Sequence, residues 1–232
     1  MRGDKILVLF GSSYGKAVSG LGELSEDFEE FEKDPKSHKL VLFTGGSDVD
    51  PRLYGESSPK GMCRCLPERD AVEARIFETA VEAGVKMAGI CRGAQFLNVM
   101  AGGRLMHHVD GHAGPSHEVT LSSGETMTVN SLHHQMIVPS ELCEVVGWST
   151  NRLSDRYFGN FDLEVPWIGK EPEVVTIPKF NCFGAQYHPE MMSPTTEAFK
   201  FYWNSARDLL SLSAEEFSAK LRSGKKKAFA NV

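Results

Sequence analysis

The stretch Val85-Lys86-Met87-Ala88-Gly89-Ile90-Cys91-Arg92-Gly93-Ala94-Gln95-Phe96-Leu97-Asn98-Val99 decides how this chain is read. Residues 85–90 form an apolar run that suits a buried strand. The residues after Cys91 suit a helix that runs to about Ala101 and stops at Gly102-Gly103. Cys91 stands at the junction, with Gly89 two positions before it and Gly93 two positions after. A Gly-x-nucleophile-x-Gly turn needs small flanking residues because the passage from strand to helix is sharp, and it lifts the nucleophile above the sheet. The helix N-terminus then directs unpaired N–H groups and a partial positive charge at the sulfur, which favours thiolate. The N–H of Arg92 is left free for a developing oxyanion. A buried structural cysteine beside a helix would fit the same five residues.

Working outward, residues 5–10 and 39–44 read as two further buried strands, the second ending in a Gly45-Gly46-Ser47-Asp48 turn. Residues 21–33 read as an acidic helix with Leu24, Phe28 and Phe31 on one face, and residues 50–66 as a surface loop. Residues 68–83 form the clearest helix, with Val72, Ile76, Phe77, Ala80 and Val81 at helical spacing and Gly84 as its cap. Such alternation implies a parallel sheet covered on both faces. Further on, His117–Leu121 and Thr126–Val129 flank a hairpin signal, and residues 142–148, 174–177 and 182–187 are strand candidates. Residues 194–210 read as a helix with Phe199, Tyr202, Trp203 and Ala206 inward. Residues 213–223 read as a last helix opened by a Ser213/Glu216 capping box. No repeat or linker divides the chain, so residues 1–232 read as one α/β domain, with 211–232 as its C-terminal helix and tail.

Composition excludes several classes. Of 232 residues, 41% are hydrophobic and 24% charged, which rules out a disordered chain. A net charge of −6 gives no basic field for nucleic acid or an anionic membrane. The one basic run, Lys225-Lys226-Lys227, reads as a solvated tail. No stretch reaches the ~20 apolar residues of a membrane span. The apolar run near the N-terminus follows Asp4 and precedes Gly11 without a cleavage pattern, so a first strand and a cytoplasmic location are expected. Five scattered cysteines (Cys63, Cys65, Cys91, Cys143, Cys182) do not make a disulfide framework, and Cys63-Arg64-Cys65 lacks zinc-knuckle spacing.

A thiol nucleophile needs a base. His188 lies in Gly184-Ala185-Gln186-Tyr187-His188-Pro189-Glu190, where Pro189 ends a strand and Glu190 can turn back to orient the imidazole. His188 comes 97 positions after Cys91, so only the fold can join them. By itself, His-Pro-Glu also suits a surface turn.

A cysteine elbow followed by a strand-end His-Pro-Glu resembles the class I glutamine amidotransferase superfamily. Three other stretches resemble its γ-glutamyl hydrolase (peptidase C26) branch, typified by γ-glutamyl-γ-aminobutyrate hydrolase. They are Gly45-Gly46-Ser47-Asp48-Val49-Asp50-Pro51 with Leu53-Tyr54-Gly55, Arg69-Asp70 with Glu73, and Val129-Asn130-Ser131-Leu132-His133-His134-Gln135. The resemblance covers residues 5–205. It implies a flavodoxin-like α/β fold: a mostly parallel central sheet flanked by helices, with a small antiparallel hairpin. It further implies a Cys91–His188–Glu190 triad acting on a γ-glutamyl amide through a thioester, without a cofactor. Backbone N–H groups of Arg92 and of Gly46 or Ser47 would form the oxyanion hole. Gln95 and the main chain at Ser131, Leu132 and His133 would hold the α-amino-acid end of a small γ-glutamyl substrate, either glutamine or a γ-glutamyl amine.

Two alternatives stand beside the hydrolase. One is an ammonia-donating glutaminase serving a synthetase partner in trans, and the other is a non-catalytic binding protein that keeps the fold. A homodimer is left open. His107, His108, His112, His117, His133 and His134, with Asp110, raise the idea of a zinc hydrolase. No His-Glu-x-x-His occurs and Gly111, Gly114 and Pro115 interrupt the region, so a histidine-rich loop at the pocket mouth, with no metal, is the expectation. Residues 150–172 match no signature, and a role on the leaving-group side is expected for them.

Overall fold

Residues 3–114 and 116–223 are described by the computed structural model. Pro115 and the Lys225-Lys226-Lys227 run lie outside the described residues. In chain order the strands are β1 (Lys5–Val8), β2 (Glu23–Ser25), β3 (His38–Phe43), β4 (Lys86–Ile90), β5 (Arg104–Met106), β6 (His108–Val109), β7 (His117–Leu121), β8 (Thr126–Val129), β9 (Met136–Val138), β10 (Glu144–Ser149), β11 (Tyr157–Gly159), β12 (Leu163–Glu164), β13 (Pro172–Ile177) and β14 (Cys182–Ala185). The helices are α1 (Phe28–Lys33), α2 (Pro67–Ala83), α3 (Arg92–Met100), α4 (Glu197–Ser211) and α5 (Ala214–Ser223).

Nine strands make one sheet in the order β2-β1-β3-β4-β14-β13-β10-β7-β8. From β2 to β14 every neighbour is parallel. From β14 to β8 every neighbour is antiparallel, and the expected β7–β8 hairpin forms the far edge. Strand alternation divides the core into two faces. Ile6, Val8, Leu40, Leu42, Ala88, Ile90 and Phe183 face α4 and α5 through Tyr202, Ala206, Leu209 and Phe217. Leu7, Leu9, Val41, Phe43 and Met87 face α1, α2 and α3 through Phe31, Ile76, Phe77, Ala80, Ala94 and Leu97. Each such Val, Leu, Ile, Phe or Met side chain stabilises the fold by about 1.5–3 kcal/mol relative to exposure. A smaller core of Met106, Val109, Met136 and Tyr157 lies under the short sheets β12-β11-β6 and β5-β9.

Local expectations fail where long-range contacts intervene. The helix expected over 21–33 begins only at Phe28, capped by Asp27, whose side chain accepts from the Glu30 N–H. Residues 23–25 instead extend the sheet beside β1, leaving Leu24 exposed. On α2, Val81 faces solvent, while Asp70 and Glu73 are buried because Arg92 awaits them. The helix expected from 194 starts after Thr196, whose hydroxyl accepts from the Phe199 N–H, and Trp203 on it is only half-buried. The Ser213/Glu216 capping box forms as expected. In the expected surface loop 50–66, Asp50, Pro51 and Glu56 are buried. Residues 153–164 pack over that loop, with Asp162 accepting from Ser58 Oγ and the Lys60 N–H.

The elbow glycines are set by close approach. A Cβ on Gly93 would lie 2.1 Å from the Phe43 carbonyl oxygen, and one on Gly89 would lie 2.6 Å from the Ala94 nitrogen. Gly93→Ala must push α3 off β3, with an expected loss of about 2–3 kcal/mol. Chemical denaturation checks this, and a loss below about 0.5 kcal/mol would contradict the close packing.

Candidate active site

Parallel pairing concentrates the chemistry at one edge. Phe43 pairs with Gly89 and Ile90 pairs with Ala185, so β3, β4 and β14 end side by side. β3 delivers the Gly45-Gly46-Ser47 turn, β4 delivers Cys91 one residue past its end, and β14 delivers His188 three residues past its end. Ligands in open α/β sheets are received at this carboxyl edge of the strands.

Cys91 is buried and holds φ 52° and ψ −113°, a conformation rare for a side-chain-bearing residue. Its N–H donates to the Ala185 carbonyl at 2.7 Å, clamping the elbow to β14. It is the N-cap of α3, so the N–H groups of Arg92 and Gly93 have no intrahelical acceptor. Burial pushes the thiols of Cys63 and Cys143 up to about 12 and raises those of Cys65 and Cys182. None of these four thiols shares the elbow.

His188 Nδ1 lies 2.7 Å from Glu190 Oε1, and the ring's other partner is the Cys91 side chain. Burial lowers the imidazole pKa, but hydrogen bonds and charge from Cys91 and Glu190 more than offset this and raise it to about 10. The structure thus brings together all three residues of the expected triad. Two residues to which the sequence reading gave no role of their own adjoin the histidine. Asn130 brackets its backbone: Nδ2 donates to the His188 carbonyl at 2.9 Å and Oδ1 accepts the His188 N–H at 2.8 Å. Tyr14, on the turn after β1, lies tilted against the His188 ring with centroids 6.1 Å apart, and burial raises its hydroxyl to about 12. Asn130 was legible as part of the 129–135 motif, but Tyr14 carried no local signal.

The turn after β3 is braced from behind. Gly46 has φ 142°, and a Cβ there would lie 2.2 Å from Arg69 Nη1. Arg69 Nη2 donates to the Thr44 carbonyl at 3.1 Å, and its Nε donates to Glu73 at 2.9 Å. The Arg92 guanidinium, fully buried, donates to Asp70 and to Glu73. The Arg69-Asp70…Glu73 motif therefore fixes both the turn and the start of α3.

The residues expected to hold substrate divide. Gln95 is buried, with Nε2 donating to the Gln135 carbonyl at 3.0 Å and to Gln186 Oε1 at 3.3 Å. Ser131 Oγ donates to the His112 carbonyl, and the Ser131 carbonyl accepts the Gly114 N–H at 2.9 Å. The His133 N–H donates to the His112 carbonyl at 3.2 Å. These bonds frame the Ala113–Leu132 bridge, so the N–H and C=O of Leu132 point away from it and stay unspent. The histidines do not form a loop at the pocket mouth as expected. His107, His112 and His133 are buried, because Glu56, Asp162, Glu171 and Glu173 draw them inward.

This sheet, parallel through its centre and flanked by helices, has the class I glutamine amidotransferase-like fold, and the chain resembles the γ-glutamyl hydrolase branch of that superfamily. Within it, the peptidase C26 family model matches residues 36–150. The glutamine amidotransferase-like protein YvdE of Lactococcus lactis is 35% identical over 119 residues, covering 43% of this chain and 50% of that protein. The γ-glutamyl-γ-aminobutyrate hydrolase of Escherichia coli O157:H7 is 31% identical over 128 residues, covering 44% of this chain and 50% of the hydrolase. The chain thus spans about half the length of these relatives. A glutamine amidotransferase crystal structure from Thermotoga maritima superposes with a TM-score of 0.57 at 15% identity over 96% of this chain and 93% of that one, a likeness of fold alone. No helix of the described residues is long and apolar enough to cross a membrane.

Proposed function

We propose that this protein, acting as one domain, hydrolyses a γ-glutamyl amide bond through Cys91, His188 and Glu190. The observation that carries this reading is the strained Cys91 elbow beside an imidazole that Glu190 orients from its other side. Cys91 Sγ attacks the δ-carbonyl carbon after its proton passes to His188. The carbonyl oxygen becomes an oxyanion facing the N–H of Arg92 and a peptide N–H of the Gly46-Ser47 turn, each donor worth roughly 10²–10³ in rate. His188 protonates the leaving nitrogen as the C–N bond breaks, leaving a glutamyl thioester on Cys91. Water then gives a proton to His188 and attacks the thioester, releasing glutamate and the thiol. Gln95 Oε1 and the unspent Leu132 main chain are the groups left to grip the α-amino-acid end. The chemistry needs no cofactor, and five free thiols suit the cytoplasm.

The geometry also explains how one imidazole serves both halves. Cys91 is among the groups that raise the His188 pKa. Thioester formation removes that partner, so the imidazole releases its proton more easily and becomes the base for water. Cys91→Ser should therefore lower the His188 pKa from about 10, and Glu190→Gln should lower it too. NMR titration of the His188 ring measures both shifts, and a rise in either variant would contradict the coupling. The sign for stability follows. The folded value lies above the ~6.5 of an unfolded histidine, so the stabilisation is complete below about pH 6.5 and is lost as pH rises through about 10.

The test of function is incubation of the purified protein with γ-glutamyl amines and with glutamine. Glutamate release from a γ-glutamyl amine by the protein alone is the expected result. Ammonia release from glutamine only when a synthetase is present would favour the ammonia-donating alternative. Absence of any thioester with every substrate would leave a binding protein.

A further inference from the structure

Away from the triad, three imidazoles converge on one carboxylate oxygen. His117 Nε2, His112 Nδ1 and His133 Nε2 lie 3.1, 3.2 and 3.3 Å from Glu173 Oε1. They come from β7, from the 112–114 segment and from the 130–135 segment, and Glu173 comes from β13. His112 and Glu173 are fully buried and His133 nearly so. The ligating atoms of His112, His133 and Glu173 all lie within 4.8 Å of one another.

Hydrogen bonds alone serve this cluster poorly. Both ring nitrogens of His112 and Glu173 Oε2 are buried without a hydrogen-bond partner. His133 Nδ1 sits 2.9 Å from the Gln135 carbonyl oxygen, an acceptor, so that nitrogen holds the ring's proton. Its Nε2 lone pair then faces Glu173. His112 has a carboxylate on each side, with Nε2 3.2 Å from Glu171 Oε2 and Nδ1 toward Glu173. Glu171 already accepts the Leu153 and Ser154 N–H groups and the Tyr157 hydroxyl, so it stays a carboxylate. A proton on His112 would satisfy that ring alone, whereas a dication between the inner nitrogens and Glu173 would satisfy all three rings at once.

We infer that the cluster is a structural site for a zinc-class divalent cation, ligated by His112 Nδ1, His133 Nε2 and Glu173, with His117 Nε2 as the adjacent fourth donor. Zinc bonds of roughly 2.0–2.1 Å place neighbouring tetrahedral ligand atoms about 3.3 Å apart, close to the three distances from Glu173 Oε1 to the imidazoles. His133 Nδ1 is already oriented by a carbonyl as in metal-bound histidines, and the Glu171 carboxylate stands 3.2 Å from His112 Nε2. A dication with neutral imidazoles balances the charges of Glu171 and Glu173. The cation would pin the segment that carries Leu132, because Ser131 Oγ holds the His112 carbonyl and Gln135 holds Gln95. The site is distinct from the triad and stands or falls independently of the hydrolase reading.

The test uses the full chain in a Cys91→Ala background, stripped with chelator and titrated with Zn²⁺. Saturable binding of one equivalent is expected, with a higher unfolding midpoint. The X-ray absorption spectrum should show only nitrogen and oxygen neighbours at roughly 2.0–2.1 Å. Glu173→Gln should weaken binding at least tenfold. If that variant does not fold, His117→Gln on the cluster's edge should still weaken binding several-fold. A sulfur shell at roughly 2.3 Å, or no saturable binding at tens of micromolar Zn²⁺, would overturn the site.

Discussion

Cys91→Ala is expected to remove γ-glutamyl hydrolysis by at least about 10⁴-fold while leaving the fold intact. Removing a nucleophile that acts as a unit with its base leaves only the contributions of binding and the oxyanion hole. None of the other four thiols can substitute, because Cys91 alone among the five acts on the His188 ring. Stability should move the other way in a companion variant. Cys91 holds φ 52°, and a strained non-glycine residue costs of order 1–3 kcal/mol. Cys91→Gly relieves that strain and gives up roughly 0.5–1 kcal/mol of backbone entropy, so a net gain of about 1 kcal/mol is expected. Steady-state kinetics and denaturant unfolding measure the two effects. Hydrolysis by Cys91→Ala within tenfold of the native rate would end the thiol mechanism.

Arg92→Met is expected to destabilise the protein by about 3–5 kcal/mol. The guanidinium bridges Asp70 and Glu73 with all three side chains almost wholly buried. Removing it leaves one buried carboxylate unpaired and the other with Arg69 alone, and breaking a buried ion pair from one side costs this much. Adding Asp70→Asn and Glu73→Gln should recover part of the loss, because neutral amides need no counter-charge while Arg69 gives up its own carboxylate partner. Denaturation of the single and triple variants measures both. A single-variant loss under about 1 kcal/mol, or no recovery in the triple, would show that the network does not hold α3 to α2. Activity should fall with the single variant as well, since the Arg92 N–H sits at the helix start that the network fixes.

The elbow was legible in the sequence because its requirements are local. Gly89 and Gly93 answer close backbone contacts, and Pro189 stands directly before Glu190, beyond the end of β14. The His188–Glu190 contact was legible for the same reason, since two residues of chain suffice to bring the groups together. Val81 shows the opposite case. Helical spacing placed it inward, yet Asp70 and Glu73 took the buried face because their partner, Arg92, lies on another helix. Residues 21–33 misled in the same way, since pairing with β1 drew 23–25 into the sheet. The histidines read as a loop because the carboxylates that bury His112 and His133 lie some 40 to 60 residues further on.

By itself the sequence determined the turn chemistry, the alternation of strands and helices, and which side chain could serve as a nucleophile. Those depend on sterics and periodicity within a few residues. Only the tertiary structure decided that Ile90 pairs with Ala185, that Asn130 brackets His188, and that three histidines meet Glu173. Such meetings depend on strand pairing and on the pull of buried charge across the whole sheet, which no short window of the chain contains.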